Sequence, residues 1–362
     1  MPTIAYMWPH GANDFPLHFS FFEQMNKLGV LDRFDFLLNT SIDPYYCAQL
    51  VRRYPQLKLL TDESRPRRWM STIQKYIGRG SRPFAYLDKF DAVCVSPGGG
   101  ITGVFQHSNI FRLYPRTKRR AILFHSIEEE AARRPEVRDS VASCELVIAR
   151  TSRSAATARA AGAKNVVDSC DIFFANHPMS FGYRPGIAVA LRLPMLSADD
   201  GYRARVREIH GNLEQRDGPI DLVRIEEPVG SEMRLEGYGS FARPNTGLYH
   251  LDSLYLPFLA RRDAVVSSRL HTSLIALACG NRKILQFQIE EGTNKAQEIF
   301  GDIGLRSVPV HRADDVTWAN IERFLDGPPN IPEEEAQAAL DQARAKVQRG
   351  LDAFLEWIDT IK

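Results

Sequence analysis

Short apolar runs alternate with helical patterns along the first half of the chain. Residues 3–7, 34–38 and 57–60 predict strands, and residues 17–28 and 45–53 predict helices. Three further apolar runs, at 92–95, 121–124 and 146–149, suit strands buried on both faces. Each of the three is followed by a polar or glycine cluster: Pro97-Gly98-Gly99-Gly100, His125-Ser126 and Arg150. A helix over 152–161 ends on Gly162, a residue suited to a C-cap, and Val166-Val167 then leads to Asp171. Strand alternating with helix predicts a parallel sheet with right-handed crossovers.

Residues 175–185 are rich in Pro, Gly, Asn and His and predict an interdomain linker. A second strand-and-helix series follows. Strands are expected at 187–191 (followed by Arg192), 220–225 and 283–287, with helices at 202–213, 251–259 and 294–300. Residues 226–248 show no period and predict a long irregular loop. The tail begins at Pro332 with Glu333, Glu334 and Glu335 in its first turn, as a helix start should. Leu340, Ala343, Val347, Leu351, Phe354, Ile358 and Ile361 then mark one face of that helix. The expected domains are residues 1–176 and 177–330, with a C-terminal helix over 331–362 packing back on the protein.

Between the apolar strand 264–266 and an apolar helix over 274–278 stands Ser267-Ser268-Arg269-Leu270-His271. In an open α/β sheet this corner lies outside the carboxyl ends of the strands, where ligands bind. The helix start offers N–H groups and a partial positive charge to an anion. A fixed cation beside a group that can move a proton suits a phosphorylated or carboxylated substrate. Gly98, Gly99, Gly100, His125, Arg150, Asp171, Arg192, Arg269 and His271 all follow apolar strands. With two doubly wound domains they would line the edges of one cleft. Glycines there would let the backbone approach a ligand.

Composition narrows the choices. With 362 residues, 44% hydrophobic, the chain suits two domains, and a formal charge of +2 gives no general polyanion-binding field. The basic runs at 65–68 and 116–120 lack interleaved aromatics, so no nucleic acid is expected as a partner. Five scattered cysteines have no CxxC spacing, which indicates neither a disulfide framework nor a metal site and fits a reducing, cytoplasmic setting. Residues 1–8 lack the pattern of a signal peptide, and no apolar run is long enough to span a bilayer. Peripheral contact of the tail helix with the inner face of a membrane is the alternative to its packing on the protein. Gly98-x-Gly100-x-x-Gly103 opens no convincing helix and has no acidic residue at ribose spacing, so a nicotinamide cofactor is discounted. His10, His18, His107, His177, His210, His250 and His311 are given no role.

Taken in order, these residues resemble the polysaccharide pyruvyl transferases over most of the chain. The matching elements are Gly98 to Gly100, His125-Ser126, Arg150-Thr151-Ser152-Arg153-Ser154, Asp171-Ile172-Phe173, Arg192, Ser267-Ser268-Arg269-Leu270-His271 and Lys295. Thr151 replaces the family's usual Asp, the N-terminal element is blurred at Gly11-Ala12-Asn13-Asp14-Phe15, and a proline is missing at Asn281-Arg282. The resemblance implies two Rossmann-like α/β domains facing a cleft, in the layout of the GT-B glycosyltransferases. It implies pyruvyl transfer from phosphoenolpyruvate to two hydroxyls of a cell-surface or exopolysaccharide sugar, giving a cyclic ketal and phosphate. The acceptor would be a saccharide, lipid-linked or free, and no cofactor or metal is called for. Arg150, Arg269 and Lys295 would hold the donor's anionic groups and His271 would act as general acid and base. Gly98, Gly99, Gly100, His125, Ser268, Arg192 and Asp171 would complete the donor site. The alternative is a nucleotide-sugar-dependent GT-B glycosyltransferase in polysaccharide biosynthesis, with Glu290 and Glu291 as acidic candidates. A third reading is a catalytically silent scaffold in a glycan-assembly complex.

Overall fold

The computed structural model describes residues 1–7, 15–39, 44–60, 87, 89–101, 119–176, 182–193, 200–226, 235–237, 260–288 and 295–361. Contacts gather these into two compact units: unit 1 is Met1–Asn176 with Arg344–Lys362, and unit 2 is His177–Ala343. The basic run at 65–68, the helix at 251–259, Gly103, Glu290 and Glu291 lie outside the described residues, as does most of the irregular loop expected over 226–248; its described parts are strand instead, Glu226 ending one and Leu235–Gly237 forming another.

Unit 1 is built on one sheet. Its strands are β1 (Thr3–Met7), β2 (Asp35–Asn39), β3 (Lys58–Leu60), β4 (Ala92–Val95), β5 (Gly98–Ile101), β6 (Arg119–Ile127), β7 (Leu146–Ala149) and β8 (Val166–Asp168). They run β3-β2-β1-β4-β6-β7-β8, with β5 pairing β6 off this path, and every pairing is parallel. The order reverses between β1 and β4, as in a doubly wound nucleotide-binding sheet. The helices are α1 (Phe15–Lys27), α2 (Pro44–Arg53), α3 (Glu129–Ala132), α4 (Pro135–Ala142) and α5 (Ser152–Ala160).

Burial follows the sequence pattern. In α1, Leu17, Phe21, Phe22 and Met25 fall on one face at spacings of three to four residues and are fully buried. Phe21 meets Phe36 of β2 edge-on, with centroids 6.5 Å apart, and meets Phe354 of the C-terminal helix at 5.3 Å. Each such ring contributes roughly 1.5–3 kcal/mol by leaving water. Among them a polar pair is buried: His18 Nδ1 lies 2.8 Å from the Tyr6 hydroxyl.

Unit 2 repeats the architecture. Its strands are β9 (Ile187–Ala190), β10 (Arg192–Leu193), β11 (Ile220–Glu226), β12 (Leu235–Gly237), β13 (Ala264–Ser267), β14 (Ile284–Gln288) and β15 (Val310–Arg312). The order is β10-β11-β9-β13-β14-β15; among the described strands β12 alone pairs antiparallel, against β11. Helices α6 (Asp200–Glu214), α7 (Leu270–Ala278), α8 (Lys295–Asp302) and α9 (Trp318–Asp326) connect them. Gly186 turns the chain into β9 at φ +102°, where a Cβ would collide with the Pro219 carbonyl, so only glycine fits. Val189 and Leu191 pack with Tyr202, Val206 and Ile209 of α6 and with Val266 and Phe287 as one core.

The 26-residue α10 (Glu333–Ile358) contributes to both units. Its face from Leu340 to Ile358, with Ile361 beyond it, is buried. Among the described residues no helix is long and apolar enough to cross a membrane. The fold is therefore α/β with two Rossmann-like units.

Three local expectations are corrected. Gly98, Gly99 and Gly100 form a strand of their own, β5, rather than only following one, because Gly98 registers against His125 and Ile101 against Ile127. His125 and Ser126 extend β6 instead of leaving it. α7 begins at Leu270, four residues earlier than its apolar pattern, because Ser267 turns the chain immediately after β13.

Candidate functional site

In unit 2 the buried run Ala264-Val265-Val266 brings Ser267 to the carboxyl edge of the sheet, level with Ala190 of β9 and Gln286 of β14. Ser267 Oγ accepts from the Arg269 N–H at 2.9 Å and donates to the Arg269 carbonyl at 3.0 Å. This two-way bracket bends the strand into the helix. The Ser268 N–H donates to the Ala190 carbonyl at 2.9 Å, which ties the corner to β9.

Arg269 is the N-cap of α7, with extended φ −113° and ψ 121°, and its side chain makes no capping bond. No acidic residue stands in the first turn of α7. By contrast, α5 is capped by Thr151, whose Oγ1 accepts from the Ser154 N–H at 3.0 Å. Thr151 thus serves as a helix cap. A guanidinium at a helix N-terminus adds positive charge where the backbone already supplies about half a unit. That combination favours a bound anion. His271 lies half-buried in the first turn of α7. Behind it Ser273 Oγ donates to Gln286 Oε1 at 2.6 Å, and the buried Thr272 Oγ1 has no hydrogen-bond partner among the described residues.

Lys295 opens α8, which follows β14 along the same sheet edge, and is half-buried. Arg192 lies in β10 in register with Ile225. Its side chain is outside what the structure describes.

In unit 1 the structure gathers His125, Ser126, Arg150 and Asp171 into one buried network. His125 donates from Nδ1 to the Ser96 carbonyl at 2.9 Å, which fixes the proton on that nitrogen. Arg150 donates to Ser126 Oγ from Nε at 3.0 Å and from Nη2 at 2.8 Å. Its Nη1 lies 3.5 Å from Asp171 Oδ2, with the two side chains 2% and 0% exposed. Asp171 Oδ1 also accepts from the Phe173 N–H at 3.1 Å, capping the 3-10 turn Ile172–Ala175. Arg150 is thus the counter-ion of a buried carboxylate rather than an open cation, and Asp171 is a cap.

Two features went unforeseen in the sequence. Phe124 adopts φ +44° inside β6, and the β6–β7 register shifts between Ile122 and His125. Such a bulge re-aims the side chains after it, here His125 and Ser126. Gln286 was the other, although a glutamine between Leu285 and Phe287 in β14 was a visible signal. Among the described residues no group of three or more His, Cys, Asp or Glu is placed to hold a metal ion.

No protein-family model and no curated protein sequence matches the chain. Solved structures do match it along its whole length. The UDP-GlcNAc 2-epimerase from Methanocaldococcus jannaschii aligns with TM-score 0.53 and 11% identity, over 98% of this chain and 100% of that one. The UDP-GlcNAc 2-epimerase from Neisseria meningitidis, bound to UDP-GlcNAc, aligns with TM-score 0.50 and 10% identity, over 98% and 100%. A UGT transferase from Siraitia grosvenorii, in complex with UDP, aligns with TM-score 0.51 and 10% identity, over 98% and 99%. At such identities the likeness is one of fold, and the fold is GT-B. It also corrects the expectation of pyruvyl transfer from phosphoenolpyruvate: the neighbours named are UDP-sugar epimerases and a transferase holding UDP, not pyruvyl transferases.

Proposed function

We propose that the protein is a nucleotide-sugar-dependent glycosyltransferase of the GT-B type that acts on a saccharide in polysaccharide biosynthesis. The observation that carries this reading is the start of α7, a helix N-terminus with an arginine N-cap and no acidic residue in its first turn. The diphosphate of the donor would sit there. The first N–H groups of α7 and the Arg269 guanidinium would hold its oxygens, with Ser268 and His271 as further donors. Negative charge grows on the leaving nucleoside diphosphate as the sugar–phosphate bond breaks. Fixed donors that meet this charge in the transition state can contribute roughly 3–4 kcal/mol each.

The test is to incubate the full chain with a panel of UDP- and GDP-sugars and saccharide acceptors, then measure nucleotide release and acceptor mass. Acceptor-dependent release of nucleoside diphosphate with a mass gain of one sugar is expected. An isomerised donor without release would replace transfer by epimerisation. Failure to bind any nucleoside diphosphate or its sugar would overturn the reading altogether.

A further inference from the structure

A cavity of about 510 Å³ opens in unit 2 at the sheet edge opposite the β13–α7 corner. Its place follows from chain direction. Tyr183 and Arg261 precede β9 and β13 and pair with each other as a parallel bridge. Leu277, Cys279 and Gly280 lie at the far end of α7, whose residues rise by ~1.5 Å each away from the donor corner. Gly280, at φ +84°, closes α7: its N–H reaches the Leu277 carbonyl and the Asn281 N–H reaches that of Ala276. With those carbonyls satisfied, the helix end presents little acceptor character to the cavity. Ligands that react on open α/β sheets bind at the carboxyl edge, so this cavity is a separate place.

Its walls are prepared for a particular chemistry. Tyr183 is 53% exposed, yet its ring is fixed: the hydroxyl donates to Asp263 Oδ1 at 2.5 Å. The Arg261 guanidinium lies 5.4 Å from the ring centroid. Across the cavity Arg282 pairs with Glu333 at 3.1 Å, so those two charges cancel. Among the described residues Arg261 has no carboxylate partner, so of the charged residues that line the cavity it is the one not cancelled by another, while the Asp263 carboxylate behind Tyr183 is engaged by the Tyr183 hydroxyl and the Gly186 N–H. Leu277 and Leu340 supply an apolar floor. The volume falls within the roughly 300–1,000 Å³ common for small-molecule sites.

The geometry points to a binding site for a carboxylate-bearing sugar unit. The pyranose ring would lie on Tyr183 and its carboxylate on the planar fork of Arg261, which matches that group bidentately. The Arg282–Glu333 pair would donate to and accept from ring hydroxyls. This site is independent of the donor reading above.

Titration of the full chain with D-glucuronate, D-glucose, acetate and UDP, followed by ligand-observed NMR, tests the proposal. Saturable glucuronate binding is expected, about tenfold tighter than glucose or acetate. Arg261→Ala should weaken glucuronate about tenfold or more and glucose little, since the bidentate charge-assisted contact is lost. Tyr183→Ala should weaken both sugars. Both side chains are exposed, and circular dichroism would verify folding of the variants. Absence of saturable glucuronate binding, equal binding by Arg261→Ala, or displacement of glucuronate by UDP would each overturn the proposal.

Discussion

The guanidinium of Arg150 and the carboxylate of Asp171 lie 3.5 Å apart inside unit 1, at 2% and 0% side-chain exposure. Removing one member of such a pair leaves a buried charge uncompensated, at a cost of about 3–5 kcal/mol. Arg150→Ala and Asp171→Asn should therefore each lower stability in urea unfolding by that order. Replacing both with apolar residues should recover part of the loss. If Arg150 instead gripped a substrate, its loss would change KM and leave the unfolding midpoint in place.

The start of α7 supports the opposite pattern. Arg269 is half-buried at the corner, and its backbone is held by Ser267 from both sides. Arg269→Ala should weaken UDP binding about tenfold or more, with the unfolding midpoint little changed. Lys at this position should restore charge but only part of the affinity, because it lacks the planar fork. Ser267→Ala should cost about 1 kcal/mol of stability per lost bond and also weaken UDP, since it releases the bracket that aims the helix. Isothermal titration beside urea unfolding separates the two effects.

Much of the architecture was legible because strands buried on both faces, such as 92–95 and 146–149, write themselves as unbroken apolar runs. The amphipathic face of α10 was legible for the same reason. Short strands such as β10 and β15, of two and three residues, carry no period to read. At the sites, the Ser267-to-His271 corner was visible as polar residues between a strand and a helix. Arg150 looked equally available in the sequence, yet its environment depends on Asp171, 21 residues later, and on Ser126, 24 residues earlier. Burial set by such long-range pairing has no local signature. Nor does the left-handed Phe124, whose backbone answers to the β6–β7 register rather than to its own side chain.

Asp263 has its pKa held below the ordinary value by the Tyr183 hydroxyl and then by the Gly186 N–H, which donates at 2.7 Å. A carboxylate depressed in the folded state stabilises above its unfolded pKa, near ~3.9, and loses that contribution as pH falls through the folded value. The stability gap between the wild type and Asp263→Asn should thus be full at pH 7 and shrink below about pH 4. Urea unfolding at a series of pH values measures it. A gap that widened on acidification would contradict the assignment.

All five cysteines are buried, and none is joined in a disulfide. Burial pushes the Cys144 and Cys279 thiols up to about 12, and raises that of Cys94 as well. The thiolate is the reactive form, so each should be nearly inert at pH 8. A chromogenic thiol reagent should label none in the native protein and all five in denaturant. Rapid native labelling of any one would show that its surroundings open.

Gly350 tests how tightly α10 is seated in unit 1. A Cβ there would come within 2.7 Å of Phe124 Cε1 and Ser169 Oγ, and within 2.9 Å of Ile148 Cγ2. Two effects oppose each other in Gly350→Ala. Helix propensity favours alanine by about 1 kcal/mol at a mid-helix position. Overpacking a close-packed site costs typically about 1–3 kcal/mol. Three contacts below 3 Å, on a residue that is itself buried, leave little room for relaxation, and the neighbouring Lys346 carbonyl is pinned by Ser169 Oγ at 3.0 Å. Overpacking should win, with a net loss of about 1–2 kcal/mol in urea unfolding. A stabilised variant would mean that the helix can shift away from β6 and β7 at little cost.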